Sequence, residues 1–248
     1  DFCLSRGLGD VYKRQVLTSL LSRIPQKVYH SVVTVPWLRT GGADLVACQM
    51  AAAVKQAYPD ENVLILRVDQ KHFERLDWLP PGIDHAHISD LLNAVPGDQA
   101  ESLLYSLLLT LAPKRVINVN SLKIWRTFER FGNRLSTRVH LYSYLFCWDQ
   151  MPGGLRVGYP SMFYAATSPY LAATFTDTKY LRGELLKIYR PPVKIANSTV
   201  ALYTPVRSAP TEITMAEVAA LRRSGRQRPT ILWAGRLDRQ KRFDLVQD

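Results

Sequence analysis

The chain has 248 residues, 47% of them hydrophobic and 21% charged, enough for one large or two small domains with a core of their own. Its net charge is +11, and because residues 1–15 hold three basic and two acidic side chains the body keeps about +10, which suits anionic partners: phosphates, acidic lipid surfaces or nucleic acid. Outside those residues only Cys48 and Cys147 remain, which argues against a disulfide framework or a zinc cluster, and there is no apolar run of about 18 residues to span a membrane.

Residues 1–15 lack an initiator Met and an unbroken apolar core, so they do not read as a signal peptide. The string Cys-Leu-Ser-Arg-Gly-Leu-Gly-Asp-Val-Tyr-Lys-Arg-Gln over 3–15 resembles translated adapter sequence of the kind found in environmental-DNA assemblies. We treat 1–15 as a non-native leader and expect a fragment cut at both ends.

From there the pattern alternates. A buried strand is predicted over 32–38, then Gly41-Gly42 and an Ala-rich helix over 43–57. A second strand covers 62–68, a loop 69–82, and a short third strand 85–88. A helix over 99–111 ends ahead of Pro113, a fourth strand covers 115–120, and a helix over 122–131 is expected to break at Gly132-Asn133. The fifth strand spans 138–146 and opens into a loop over 147–154. A sixth strand covers 170–176, followed by a helix capped by Asp177 or Thr178 and stopped by Pro191-Pro192. Residues 193–203 read as a strand pair or a crossover, and a short helix starts at Thr214, where Thr-Met-Ala-Glu has capping-box spacing. Strands alternating with helices predict an α/β fold with a parallel sheet and ligands at the strand C-terminal ends.

Candidate sites follow from chemistry at these positions. Gly41 and Gly42 let the backbone approach a ligand and free N–H groups for an anion, although a tight strand-to-helix turn would use glycine too. Gly-x-Gly-x-x-Gly is absent, so this is no dinucleotide fingerprint. Asp44 complements the helix N-terminus first and is a site residue second. His85 and His87 share one strand face, but no third ligand lies near in sequence, so a structural role is favoured over zinc. Arg126, Arg130, Arg134 and Arg138 recur every fourth residue beside apolar Ile124, Trp125, Phe128 and Leu135. That row could lie on an anionic bilayer; packing against the sheet with a solvated basic rim is the reading we favour. No two aspartates sit two apart, so the Asp-x-Asp metal motif is missing and no metal requirement is expected.

The last stretch is the most specific. Residues 230–246 read as a buried strand, a turn at Gly235, a charged loop and the start of an apolar helix, with Arg236 and Lys241 five apart on the loop. Backbone N–H groups, helix dipole and both cations favour an anionic phosphate there. The string Gly-Arg-Leu-Asp-Arg-Gln-Lys-Arg-Phe-Asp-Leu over 235–245 resembles the opening of the C-terminal domain of retaining GT-B glycosyltransferases of the "glycosyltransferase group 1" (family 4-like) type. Residues 34–46, Thr-Val-Pro-Trp-Leu-Arg-Thr-Gly-Gly-Ala-Asp-Leu-Val, look like that family's first strand, Gly-Gly loop and first helix.

The resemblance implies a GT-B fold of two Rossmann-like domains, of which this chain holds the N-terminal, acceptor-side one over 16–204. A linker with a short helix (205–229) and the start of the donor-binding domain (230–248) would follow. It implies that Gly235, Arg236 and Lys241 bind the donor diphosphate and that Gly41 and Gly42 face the cleft near donor and acceptor. The histidine that the family places beyond a strand in this region does not carry over: Phe146-Cys147-Trp148-Asp149 stands there, and His140 lies early in the strand. The implied reaction moves a hexosyl unit from a nucleotide-sugar donor to a hydroxyl on a glycan or lipid-linked acceptor, with retention, in polysaccharide biosynthesis. A cytoplasmic place, with peripheral contact to anionic membrane, is expected. The family's paired-glutamate motif lies beyond residue 248, so the fragment alone is expected to be inactive, with no certain catalytic residue. A nucleotide-sugar epimerase of similar architecture is the nearest rival. A non-catalytic basic module docking on membrane or nucleic acid is the rival from another class, although no nucleic acid is expected as partner.

Overall fold

The structure, a computed structural model, describes residues 2–151, 153–204 and 214–216, with side chains from residue 11 onward except that of residue 150. Seven parallel strands form one sheet: β1 (Ser31–Val35), β2 (Val63–Arg67), β3 (Asp84–His87), β4 (Arg115–Val119), β5 (His140–Leu145), β8 (Leu171–Thr176) and β9 (Thr199–Ala201). Their order is β3-β2-β1-β4-β5-β8-β9. Every residue of β1 and of β2 is buried, the mark of strands covered on both faces.

Alternate residues divide these strands between two cores. Val33, Ile65, Ile117 and Tyr144 face α2 (Gly42–Ala57), whose small Ala47, Cys48 and Ala51 let it lie close on the sheet. Leu64, Leu66, Val116 and Leu141 face the other way, against α4 (Gly97–Leu111) and α5 (Leu122–Leu135). Trp125 and Phe128 fill that second core, so the apolar side of the basic row points inward, while Arg126, Arg130, Arg134 and Arg138 are exposed. Trp125 stacks on Phe163 of α6 (Tyr159–Thr167), ring centroids 5.5 Å apart. Helices therefore cover both faces, as the alternation predicted.

Several local expectations are corrected. Helix α5 does not break at Gly132 but runs on to Leu135. A Cβ at Gly132 would stand 2.9 Å from Tyr170 Cδ2, so the glycine serves a close approach to that ring. The loop after β5 contains part of a small hairpin, β6 (Asp149–Gln150) with β7 (Arg156–Val157), and helix α6 was not expected at all. Its signal was present: Gly158, at φ 100°, caps the helix and Pro160 sits in its first turn. Short helix α3 (Ser89–Asn93) was missed too. Of the two readings of 193–203 the crossover holds, with α8 (Val193–Ser198) leading into β9. Helix α7 (Lys179–Tyr189) is capped by Thr178, whose Oγ1 accepts the Leu181 N–H at 3.1 Å.

The first helix, α1, runs Phe2–Ser22 without interruption through the supposed leader. Residues 11–15 are exposed, while Leu20 and Ile24 are buried in the core with Val16, Leu17 and Leu21 packed against it. Among the described residues, no helix is long and apolar enough to cross a membrane.

Candidate functional site at the sheet switch point

Strand β1 is flanked by β2 on one side and β4 on the other. The chain leaves β1 toward one face of the sheet and β4 toward the opposite face, so their following loops diverge and open a crevice beyond the strand ends. One wall is the loop 36–41 leading into α2. The other is Asn120 and Ser121 leading into α5.

Gly41 is the N-cap residue of α2, and Gly42 opens the helix with nothing within 4 Å of where a Cβ would stand. No side chain caps the helix through residue 41. Asp44 supplies the negative charge instead: its carboxylate accepts from the backbone N–H groups of Arg39 and of Asp44 itself, and a Cβ on Gly41 would meet its Oδ2 at 2.7 Å. Burial leaves Asp44 only 6% exposed and lifts its carboxyl to about 6, with those two N–H groups opposing the rise. Arg39 lies over the Trp37 ring and pairs with Glu74 at 3.3 Å.

The second wall is a buried polar network. Thr34 Oγ1 lies 3.3 Å from both the Ile117 carbonyl and Asn118 Oδ1. Asn118 exchanges two hydrogen bonds with the Ser121 backbone, and Ser121 Oγ accepts the Ile124 N–H at 3.3 Å. Asn120 turns the chain at φ 63°, a left-handed conformation that asparagine tolerates better than most side chains. Beside it Asp69, just past β2, accepts the Lys123 N–H at 3.2 Å and stands 3.6 Å from Lys123 Nζ. Lys123 also donates to Asn93 Oδ1 at 2.8 Å. Tyr159 faces this corner; burial raises its hydroxyl pKa, with the charges of Asp69 and Asp149 adding to the rise.

Both helix N-termini at the switch point thus hold a carboxylate of the chain's own, Asp44 on α2 and Asp69 on α5. The nearest cations, Arg39 and Lys123, are paired. A phosphate would compete there with resident anions, whereas hydroxyl groups could donate to them. Sequence reasoning found Asp44 but missed Asp69, Asn118 and Ser121, whose roles depend on pairing across strands; the Asn-Ser step ahead of an apolar helix was the available signal.

Other expected site residues lie apart. His85 and His87 share a face of β3 with the unpaired Nε of Arg67 nearby on β2, and among the described residues no group of three or more His, Cys, Asp or Glu could hold a metal ion. His140 starts β5 and is at the far end of the sheet from the crevice. Gly235, Arg236 and Lys241, with the strand over 231–234, lie outside the described residues.

The fold is a Rossmann-like α/β domain. No family model matches the chain, and no curated protein matches it. Among solved structures it is similar to the apo form of the lipopolysaccharide outer core galactosyltransferase WaaB, at 12% identity and a TM-score of 0.45, covering 71% of this chain and 45% of that one. It is also similar to an alpha-glucosyltransferase in complex with UDP, at 12% identity and a TM-score of 0.37, covering 73% and 42%. The chain spans less than half the length of either structure.

Proposed function

We propose that this chain is the acceptor-side domain of a retaining GT-B glycosyltransferase, joined through 205–229 to the start of its donor-binding domain. The observation that carries the reading is the string over 235–245, which follows in sequence an α/β domain whose own crevice is already supplied with carboxylates. Division of labour then follows from charge. Arg236 and Lys241, with the Gly235 turn, hold the diphosphate of a nucleotide sugar, while Asp44, Asp69 and the Gly41-Gly42 loop face the hydroxyl-bearing acceptor, a glycan or lipid-linked sugar.

In such a transfer the departing phosphate helps deprotonate the acceptor hydroxyl on the same face of the sugar. The protein's part is electrostatic and positional: two cations take up charge as it develops on the leaving diphosphate, and the crevice holds the partners in register. Two cations suffice without a metal, so the intact enzyme should keep its activity in EDTA. The cytoplasmic place and the role in polysaccharide assembly belong to the same proposal.

The test uses the full-length parent with a nucleotide-sugar donor. Arg236→Ala and Lys241→Ala should each cost about 2–4 kcal/mol of transition-state stabilisation, the scale of a removed oxyanion donor, read mainly in kcat. Arg236→Lys should stay impaired, since a point charge cannot reproduce the planar fork. Near-wild-type kcat/KM in both alanine variants would end the donor-site assignment.

A further inference from the structure

At the end of the sheet opposite the crevice, where β5 and β8 begin, a cavity of about 300 Å³ is lined by Ser136, His140, Ser168, Tyr170, Lys194 and Ser198 among others. No carboxylate lines it. Lys194 and His140 are exposed, and among the described residues neither has an acidic side chain within ion-pair distance. By contrast, Lys114 and Arg115, close by on the neighbouring strand, are both neutralised by Glu61. Ser168 is the second, independent sign. The residue as a whole is 5% exposed, and its hydroxyl, with no hydrogen bond among the described residues, keeps its open side toward the cavity. Its neighbours Ser136 and Ser198 spend their protons on the carbonyls of Asn133 and Ile195. Ser168 Oγ faces the open cavity, so its proton is free for whatever occupies that space.

We propose that this cavity is a second ligand site, separate from the crevice, that takes a phosphate monoester. The chemistry selects that class. Lys194 supplies a mobile ammonium, His140 a ring N–H, and Ser168 and Tyr170 hydroxyl donors, all without an anion to oppose the ligand. Phosphate offers the several acceptor oxygens such a set can saturate, and the volume lies at the lower end of the range for small-ligand sites. The site does not depend on the glycosyl-transfer reading, because it shares no residue with the crevice.

The test is an NMR titration of the ¹⁵N-labelled full chain with glycerol phosphate and, separately, with phosphatidylcholine vesicles carrying phosphatidic acid. Saturable shifts are expected at His140, Ser168 and Lys194. Lys194→Glu, at an exposed position, should weaken binding about tenfold or more, the scale of a lost charge-assisted hydrogen bond. Ser168→Ala should weaken it about fivefold, and Lys194→Gln gives the same direction should the buried serine variant fail to fold. A response to glycerol phosphate alone assigns the site to a free metabolite. A response to vesicles alone, lost in Lys194→Glu, assigns it to a lipid headgroup. Absence of saturable shifts with both probes, or shifts unchanged in the Lys194 variants, overturns the proposal.

Discussion

Asp44→Asn isolates the electrostatics of the crevice. The carboxyl rises from its ordinary 3.8 to about 6 because burial disfavours the charged form more than two backbone N–H groups favour it. A group raised in the folded state contributes stability that is fully present below its unfolded value and is lost as pH climbs through its folded one. At about 1.36 kcal/mol per unit, the ionised Asp44 costs the fold about 3 kcal/mol at neutral pH, and about 2 kcal/mol of that change falls between roughly pH 4.5 and 7.5. Asparagine is nearly isosteric, keeps one acceptor oxygen toward the helix N-terminus, and does not titrate. Stability from urea denaturation of both proteins at the two pH values gives the answer, since all other titrating groups cancel in the difference. Relative to wild type, Asp44→Asn should gain about 2 kcal/mol on going from the lower to the higher pH. A difference that stays constant across that range would show that Asp44 titrates like a solvated carboxylate, and the reading of a buried resident anion on α2 would be wrong.

Gly132→Ala sets two effects against each other. Helix propensity favours alanine by about 1 kcal/mol, but the new methyl must displace the Tyr170 ring from 2.9 Å, so a net loss of about 1–2 kcal/mol is expected in urea denaturation. In a Tyr170→Ala background the same change should be neutral or stabilising; a gain in the wild-type background would contradict the packing. Ser121→Ala removes a fully buried helix cap and should cost about 1 kcal/mol, read as a lowered Tm with α5 still formed. Tyr144→Phe takes away the hydroxyl that donates to the Leu202 carbonyl, and should speed hydrogen exchange over β9 while leaving β1 unchanged. Equal exchange at β9 in both proteins would rule out that tether.

The order of elements was legible in the chain because parallel strands buried on both faces are written as unbroken apolar runs, as at Val63 to Leu66, and because helix ends carry local signals such as Thr178 and Pro191. The direction of the basic row was legible for the same reason: Trp125 and Phe128 are too apolar to leave a packed core. What the local pattern could not settle was any feature made by residues far apart. Gly132 reads as a helix breaker until Tyr170, brought against it by β8, shows why no side chain fits. Asp69 reads as a loop acid until the sheet order carries it to the first turn of α5, and the partnerless hydroxyl of Ser168 has no trace in sequence at all. Propensity and capping act over a few residues and are therefore written locally. Burial, charge pairing and cavities depend on which strands become neighbours, and in this protein that is decided by the crossing of the chain at β1 and β4.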